Sequence, residues 1–583
     1  MRSTPRHLSR YRLRRRLTDT DVMLQLVLLG LVTGFFSAVV ISAFRELIIF
    51  FTCLYLPVPE HDSYAALAWP LRLLLPLIGT AVIVALFHLL HESRQRLGIA
   101  HVIERLSLHQ GRLPLKPFFL QFLAGITAIA SGHSIGQEGP AVHLGAASGS
   151  LLGQWLHLPD NSLRVLAACG SAAAISSLFN TPIAGIVFAM EVIVMKYTVA
   201  SFIPVMLASV IAAVITHSLY GTEPAFHVPP ITVTTVNELL LIIITGVIMG
   251  LLAVCFCRLI VLFARANTCP LWLRLTSAAL LTGVTAIWLP QVMGDGYSTL
   301  SDIMFDNFSF TFLCLLIIGK LVTSTASIAL GIPGGLIGPS LLIGAAAGSM
   351  TGSLTNFLGI SAATGNLPAM IGMGAMLGAV LQAPLTALIT VLELTRNPDI
   401  LLPSLIAIII AWLVSSQLFR QQPVFTQILS ADGRTFRHVP VEQALRHADL
   451  ASVMSQSLRQ LEQHCPFEYL QETLKTRPRW LLINHDGEPQ GLISTMELTR
   501  QIARQTFDVH SCVADTIDLL EIPVKRLDVA AIDINSTLHE ALARMNRNSL
   551  DALYITRHDR KGGDAITGII TRADIEAWHR ILH

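Results

Sequence analysis

The stretch that decides the fold is Ser131-Gly132-His133-Ser134-Ile135-Gly136-Gln137-Glu138-Gly139-Pro140. It places one carboxylate, Glu138, between glycines in a region that is otherwise almost entirely apolar. Pro140 suits the first turn of a helix, because the N–H group that proline lacks has no helical partner there. The other amides at a helix start are unpaired donors, and the helix dipole favours negative charge at that end. The stretch therefore predicts an anion site that already holds an anionic side chain.

The composition around this stretch is that of a membrane protein. Of 583 residues, 52% are hydrophobic and only 13% are charged, whereas soluble domains carry about 25% charged residues. Residues 1–16 hold seven arginines and no acid, residues 431–583 hold 39 charged residues, and the 414 residues between them hold 32. The chain therefore divides into a basic N-terminus (1–20), a membrane domain (21–430) and a tail of ordinary soluble composition. By the positive-inside rule the N-terminus lies in the cytoplasm.

Many apolar segments of the membrane domain are unusually short. Hydrophobic segments at about 21–53 and 68–90 are long enough to cross a bilayer. The next ones are interrupted by Gly and Pro, and they lie at 118–134, 140–156, 163–178, 183–195 and 202–218. Broken helices are tolerated at membrane depth only where they line a cavity or are buried in protein. The pattern favours a transporter or a channel over a receptor or an anchor.

An internal repeat relates two halves of this domain, about 21–220 and 236–430. Four landmarks recur in the same order at offsets of 198 to 202 residues, and the step from proline to glutamate is nine residues in both halves. Close helix packing explains the small residues of the pattern, but not the shared prolines and glutamates. Such a repeat predicts a transport protein with its site at the interface of the repeats. The paired landmarks are Leu97-Gly98-Ile99 with Gly294-Asp295-Gly296, Gly136–Pro140 with Gly335–Pro339, Leu144–Ser150 with Ile343–Ser349, and Pro182…Glu191 with Pro384…Glu393.

The tail carries a second, weaker repeat. Two units of about 60 residues alternate helix-like segments with short β runs such as Trp480–Asn484 and Leu553–Thr556. The motif Gly491-Leu-Ile-Ser494 of the first unit corresponds to Gly568-Ile-Ile-Thr571 of the second. The tail is therefore predicted to form one compact α/β module.

With these motifs the chain resembles the CLC family of chloride channels and transporters, and within it the bacterial ClcB-like branch. The resemblance rests on Gly136–Pro140, Pro333–Pro339 and the paired Pro182 and Pro384 elements, and it covers about residues 20–430. It implies an all-α polytopic membrane protein of two inverted halves with broken helices. It also implies a homodimer with one pathway per subunit in the bacterial inner membrane. The tail resembles a cytoplasmic tandem CBS pair, at 446–505 and 525–583, so both termini are expected in the cytoplasm.

The resemblance implies that Glu138 is the gating carboxylate of an anion pathway. The ionised side chain would occupy an anion site and would swing away when it is protonated or displaced by chloride. Oriented backbone amides can replace the hydration shell of an anion without a buried cation. The amides implied to hold the anion lie at Gln137, Gly139, Leu336 and Ile337.

Two departures from the family pattern concern the central anion site. The serine and the tyrosine usual there fall on Leu97 and Phe425, so both side-chain hydroxyls are missing. Anion binding is then expected to depend on backbone donors or on another residue. Chloride is the expected anion, and nitrate and fluoride are open alternatives.

A third departure concerns coupling to protons. The inner proton-transfer glutamate of the family's exchangers falls on Val192, which cannot carry a proton. This favours flux of the voltage-gated channel type, with H⁺/Cl⁻ antiport through Glu138 and Glu191 as the alternative. Glu191 and Glu393 are equally well explained as hydrogen-bond acceptors at helix ends, although an intramembrane carboxylate is functional by default.

Other functions are weighed against this one. Thr571 and Asp574 match the positions at which CBS pairs contact an adenine nucleotide, so a nucleotide-sensing membrane regulator is an alternative, and a purely structural tail is another. A cation transporter would need several membrane carboxylates that converge on one site. The sequence shows no nucleophile–base pair and no metal-ligand spacing. It therefore predicts no enzyme, no required cofactor, no metal site and no nucleic-acid partner.

Overall fold

The computed structural model describes residues 22–56, 64–90, 97–195, 198–221, 236–305, 308–357, 367–431, 448–485, 487–504, 516–558 and 564–581. The predicted basic N-terminus, 1–20, lies outside these ranges. The chain folds into two compact units. One is built from 23–158 and 162–436, and the other mainly from 437–583.

The first unit is helical throughout its described residues. Its first two helices lie within one residue of the predicted segments at 21–53 and 68–90. The helices are α1 (Val22–Thr52), α2 (Trp69–Leu89), α3 (Ile99–Leu108), α4 (Leu115–Ala130), α5 (Glu138–Trp155), α6 (Asp160–Phe179), α7 (Pro182–Phe188), α8 (Val199–Tyr220), α9 (Val236–Ala264), α10 (Leu271–Trp288), α11 (Tyr297–Phe305), α12 (Phe310–Leu330), α13 (Ile337–Phe357), α14 (Leu367–Leu381), α15 (Pro384–Thr395), α16 (Leu401–Trp412) and α17 (Val424–Ala431). Single π-helical turns, Ala189–Val194 and Leu413–Leu418, extend α7 and α16.

The prediction of short, buried helices is confirmed. Within the described ranges, eight helices are long and apolar enough to cross a membrane, and four other apolar helical segments have only 10–17 residues. A span needs about 20 apolar residues, so the short segments cannot cross alone. They depend on protein neighbours instead, and in α14 every residue is buried.

Close helix packing repeats in the two halves. A Cβ atom at Gly170 of α6 would collide with the Gly145 carbonyl of α5, and a Cβ at Gly372 of α14 would collide with the Gly344 carbonyl of α13. These glycines correspond under the offsets found in the sequence. Glycine is needed here because the backbones of neighbouring helices touch. The runs of small residues therefore let α5 pack directly on α6 in the first half, and α13 on α14 in the second half.

The described residues of the second unit form two larger sheets of the same design and a two-stranded antiparallel pair, β2 with β5. In each larger sheet, one strand pairs in parallel with one neighbour and antiparallel with the other, in the orders β1-β3-β4-β6 and β7-β8-β9. Both antiparallel pairs shift register at the same place, after Ile483 and after Ile555, so the two sheets share one strand pattern. The elements are β1 (Leu458–Glu462), β2 (His464–Pro466), α18 (Phe467–Lys475), β3 (Trp480–His485), β4 (Glu488–Ser494), α19 (Thr495–Arg504), β5 (Thr516–Asp518), β6 (Arg526–Leu527), β7 (Val529–Asp533), α20 (Leu538–Asn548), β8 (Ala552–His558), β9 (Asp564–Thr571) and α21 (Arg572–Ile581).

Strand β6 connects the two predicted tail domains. It lies within the range 525–583 assigned to the second domain, but it pairs with β4 of the first sheet. Leu482, Leu492, Ala552 and Ile569 form one buried apolar cluster between the sheets. The two sheets are therefore joined by a shared strand pairing and by a shared apolar cluster.

Candidate anion site

Two helix starts meet at the stretch with which the sequence analysis began. Helix α5 begins at Glu138 and α13 begins at Ile337. Just before them, the Gly136 amide donates to the Gly335 carbonyl at 2.8 Å, and the Gly335 amide donates to the Gly136 carbonyl at 2.7 Å. The two glycines are equivalent in the repeat, and reciprocal contacts between equivalent residues are what a two-fold axis produces. The positive ends of two helix dipoles therefore converge at the interface of the repeats.

The Glu138 side chain occupies this junction and is 0% exposed. Its Oε1 atom accepts a hydrogen bond from the Gly338 amide at 2.7 Å and another from the Tyr297 hydroxyl at 2.7 Å. Gly338 is the second residue of α13, so a carboxylate of one half is held by a helix start of the other. The buried Oε2 atom has no hydrogen-bond partner among the described residues. One oxygen is therefore held by two donors, while the lone pairs of the other are unused.

Missing side chains give the carboxylate its space. A Cβ atom at Gly136 or at Gly335 would collide with Glu138 Oε2. A Cβ at Gly338 would lie 3.1 Å from Glu138 Oε1. Gly136, Gly335 and Gly338 thus leave the room that a buried carboxylate needs, whereas Gly139 is required because the Gly334 carbonyl lies against it.

A loop of the second half supports the Tyr297 hydroxyl. Asp295 accepts hydrogen bonds from the Tyr297 amide at 3.1 Å and from Gln137 Nε2 at 2.8 Å. The buried Lys320 ammonium donates to the carbonyls of Gly294 at 2.8 Å and Val292 at 3.1 Å. Tyr297, Asp295 and Lys320 were not among the predicted site residues. Their position in the repeat could have indicated a role, because Gly294–Tyr297 corresponds to the loop at Leu97–Ile99, where the central anion site was expected.

The structure divides the predicted anion-binding residues into two groups. Leu97, Leu336 and Phe425 line one cavity, together with Ile99, Ala100, Ile328, Gly331, Ile332, Pro333, Gly334, Gly335 and Ile428. All the side chains of this lining are apolar. Gln137, Gly139 and Ile337 instead lie beside Glu138 at the two helix starts. A hydroxyl is therefore present at the Glu138 junction and absent from the cavity lining.

Glu191 and Glu393 each bind the helix start of the opposite half. Glu191 accepts hydrogen bonds from the amides of Leu385 at 3.3 Å and Thr386 at 2.7 Å, and from the Thr386 hydroxyl at 2.6 Å. In return, Glu393 accepts from the amides of Ile183 at 3.0 Å and Ala184 at 2.7 Å. The two glutamates thus satisfy first-turn amides of α15 and α7, which have no helical partners. These contacts favour the helix-end interpretation over a proton path for Glu191.

In the tail, Thr571 and Asp574 bind each other at the start of α21. Asp574 Oδ2 accepts from the Thr571 hydroxyl at 2.6 Å and from the Thr571 amide at 3.1 Å. Asp574 Oδ1 accepts from Arg479 Nη2 at 2.8 Å. Both carboxylate oxygens therefore have partners within the tail, and a nucleotide that used Asp574 would compete with Arg479.

Comparisons with known proteins agree with this geometry. Residues 78–416 match the family model described as voltage gated chloride channel, and residues 521–578 match the CBS domain model. A ClcB-like chloride channel protein of Ralstonia nicotianae is 31% identical over 359 residues, which cover 60% of this chain and 83% of the relative. The H⁺/Cl⁻ exchange transporter ClcA of Vibrio parahaemolyticus is 29% identical over 329 residues, or 53% of this chain and 68% of the relative.

Solved structures show the same fold. A slow cyanobacterial Cl⁻/H⁺ antiporter superimposes with a TM-score of 0.61 at 21% identity, and covers 71% of this chain and 98% of its own. A eukaryotic CLC transporter gives a TM-score of 0.55 at 20% identity and covers 97% of this chain and 98% of its own. The predicted family and fold class are therefore confirmed. The chain belongs to the voltage-gated chloride channel (CLC) family, and it is a multi-pass membrane protein with a C-terminal CBS domain.

Proposed function

We propose that this protein carries chloride across the bacterial inner membrane through a pathway that Glu138 gates. The observation that carries the proposal is the position of Glu138 Oε1 between the Gly338 amide and the Tyr297 hydroxyl, where two helix starts meet. Two converging donors suit any small anion, since a carboxylate oxygen and chloride both accept hydrogen bonds. The family match and the chloride named for both relatives support chloride as the cargo.

The gate works by competition for these donors. The ionised carboxylate holds them and blocks the site. A proton can add at Oε2, whose lone pairs are unused. The neutral carboxyl group is a weaker acceptor than a carboxylate, so chloride takes the donors more readily. Chloride flux is therefore expected to rise as the external pH falls.

The test is chloride efflux from liposomes that contain the purified full-length protein. Efflux above that of empty vesicles, rising at low external pH, is expected. Glu138→Gln mimics the protonated gate and should give efflux that no longer depends on pH. Glu393→Gln removes a carboxylate elsewhere in the same domain and should keep the wild-type pH profile. Absence of efflux, or an unchanged pH profile in the Glu138→Gln protein, would contradict the proposal.

Passive flux of the voltage-gated channel type is the primary form of this function. It is supported by Val192, which is buried and cannot bind a proton, and by Glu191, whose two oxygens already accept three hydrogen bonds. H⁺/Cl⁻ antiport is the second candidate, and it is supported by the names of the Vibrio relative and the cyanobacterial structure. A chloride gradient imposed on proteoliposomes separates the two. Uphill proton movement indicates antiport, and chloride flux without it indicates a channel.

We also propose a homodimer with one pathway per subunit and with both termini in the cytoplasm, as the family resemblance implies. Light scattering of the purified protein would give the subunit number, and protease accessibility in inside-out vesicles would give the orientation.

For the tail we propose an adenine nucleotide site at Thr571 and Asp574. A regulator without transport activity would instead bind nucleotide and show no chloride flux in the liposome assay.

A further inference from the structure

We propose that the Tyr297 hydroxyl is a side-chain ligand of the transported anion, at the position that Glu138 Oε1 now occupies. This inference rests on the proposed role of Glu138 as the gate. It assigns to Tyr297 the contribution that Leu97 and Phe425 cannot make, since neither of those side chains has a hydroxyl.

Two donors are left without Glu138 Oε1 when the proposed gate opens. The Tyr297 hydroxyl and the Gly338 amide each lie 2.7 Å from Glu138 Oε1. If the carboxylate leaves, the buried Gly338 amide and the partly buried Tyr297 hydroxyl both lose this anionic acceptor, and the loss of a hydrogen bond to a charged group is costly. A chloride ion at the same point restores an acceptor to both. The site vacated by Oε1 is therefore already shaped for a small monovalent anion.

Tyr297 is also held in place by contacts that do not involve Glu138. Its amide donates to Asp295 Oδ1 at 3.1 Å, and its ring packs edge-to-face on Phe179, with ring centroids 5.7 Å apart. Lys320 fixes the preceding loop through the Gly294 carbonyl at 2.8 Å. The hydroxyl would thus keep its direction after the carboxylate has moved, which is the preorganisation that tight binding requires.

Two charged side chains hold the loop before α11, from which Tyr297 extends. Asp295 accepts hydrogen bonds from Gln137 Nε2 at 2.8 Å and from the Tyr297 amide at 3.1 Å. Lys320 of α12 donates to the carbonyls of Gly294 at 2.8 Å and Val292 at 3.1 Å. The Tyr297 hydroxyl itself donates to Glu138 Oε1, so it already points at the position proposed for the anion.

The experiment measures chloride binding by titration calorimetry on full-length protein in which Glu138→Ala has emptied the site. Adding Tyr297→Phe should weaken chloride binding about 10- to 100-fold, which is the range for a hydrogen bond to a charged group. The matched control adds Tyr64→Phe instead. Tyr64 is a buried tyrosine of the same domain, and its hydroxyl donates to the Ile129 carbonyl at 3.3 Å, away from Glu138. The control should bind chloride as tightly as Glu138→Ala alone.

Equal affinities of the two double variants would overturn the assignment of Tyr297. If Glu138→Ala itself neither binds nor conducts chloride, the proposed function fails, and the inference fails with it.

A second readout uses Tyr297→Phe with Glu138 intact. Because the hydroxyl also holds the ionised carboxylate, its loss should move the half-maximal pH of chloride flux upward by about 1–2 units. A misfolded Tyr297→Phe protein would lose chloride flux at every pH. If the variant instead reaches the normal maximal flux and its pH profile is not shifted, this result also contradicts the proposal.

Discussion

Glu191 and Glu393 are predicted to affect stability in the same way, because each caps the helix start of the opposite half. The perturbation is substitution of either residue by Ala or by Gln. Alanine removes the acceptor for two backbone amides at each site, and at the Glu191 site also for the Thr386 hydroxyl. Glutamine keeps one acceptor oxygen and turns the other into a donor.

The magnitude follows from these donors. Both carboxylates are half-buried, so each lost hydrogen bond is taken at about 1 kcal/mol. Alanine should then cost about 2–3 kcal/mol at either position, with the larger value at Glu191, and glutamine about 1 kcal/mol. One kcal/mol moves the melting temperature of a 150–250-residue protein by about 2–4 °C. For this larger domain we expect a drop of about 2–6 °C for alanine and about 1–2 °C for glutamine.

The assay is thermal unfolding of the purified variants in one detergent at a fixed scan rate, since unfolding of such proteins is commonly irreversible. Proteoliposome flux on the same samples should show the wild-type pH profile for all four variants. The reasoning is refuted if Glu191→Gln keeps the wild-type melting temperature but loses proton-coupled chloride movement. Glu191 would then be a proton carrier. A stability loss at Glu191 with none at Glu393 would also contradict the reciprocal caps.

Three further predictions concern the anion path and the tail. Gly338→Ala places a Cβ 3.1 Å from Glu138 Oε1 and 3.2 Å from the Tyr297 hydroxyl. Because this Cβ displaces the carboxylate, chloride efflux at neutral pH should rise. Efflux equal to that of the wild type would contradict this prediction. The double variant Leu97→Ser and Phe425→Tyr adds two hydroxyls to the apolar cavity and should tighten chloride binding about 3- to 10-fold in calorimetry. In the tail, Arg479→Ala removes the partner of Asp574 Oδ1. AMP should then bind the full-length protein up to about fivefold more tightly, which corresponds to the strength of an exposed ion pair. Unchanged binding would show that Asp574 does not contact the nucleotide.

The sequence predicted the membrane fold well because its signals are local. The repeated prolines, glycines and glutamates mark helix ends, and the offsets between them relate residues that the structure brings into contact. Gly136 and Gly335, matched by the offset alone, exchange hydrogen bonds in the structure. The β runs of the tail were equally visible, since strands such as Trp480–His485 are apolar and bounded by polar residues.

The site was predicted less completely, because its partners come from distant parts of the chain. Glu138 was identified from its setting, but Tyr297 lies 159 residues away and binds it through a side chain. No periodicity signals such a contact. The roles of Glu191 and Glu393 stayed open for the same reason, since the amides that bind them belong to the opposite half. Only the three-dimensional structure shows that both glutamates have donors on each oxygen.

The hydrogen bonds between Gly136 and Gly335 restrict how the pathway can open. They tie the two backbones together immediately beside the carboxylate, so separating the helix starts would break two buried backbone hydrogen bonds. Turning the Glu138 side chain about its own single bonds breaks only the contacts of one oxygen. If Glu138 is the gate, as proposed, the moving part is a few side-chain atoms within a stationary frame. Side-chain rotations take picoseconds to nanoseconds where they are unhindered, whereas concerted helix motions take microseconds to milliseconds. The proposed gate would then open without a rearrangement of the helices, and the two donors on Oε1 would contribute to its barrier.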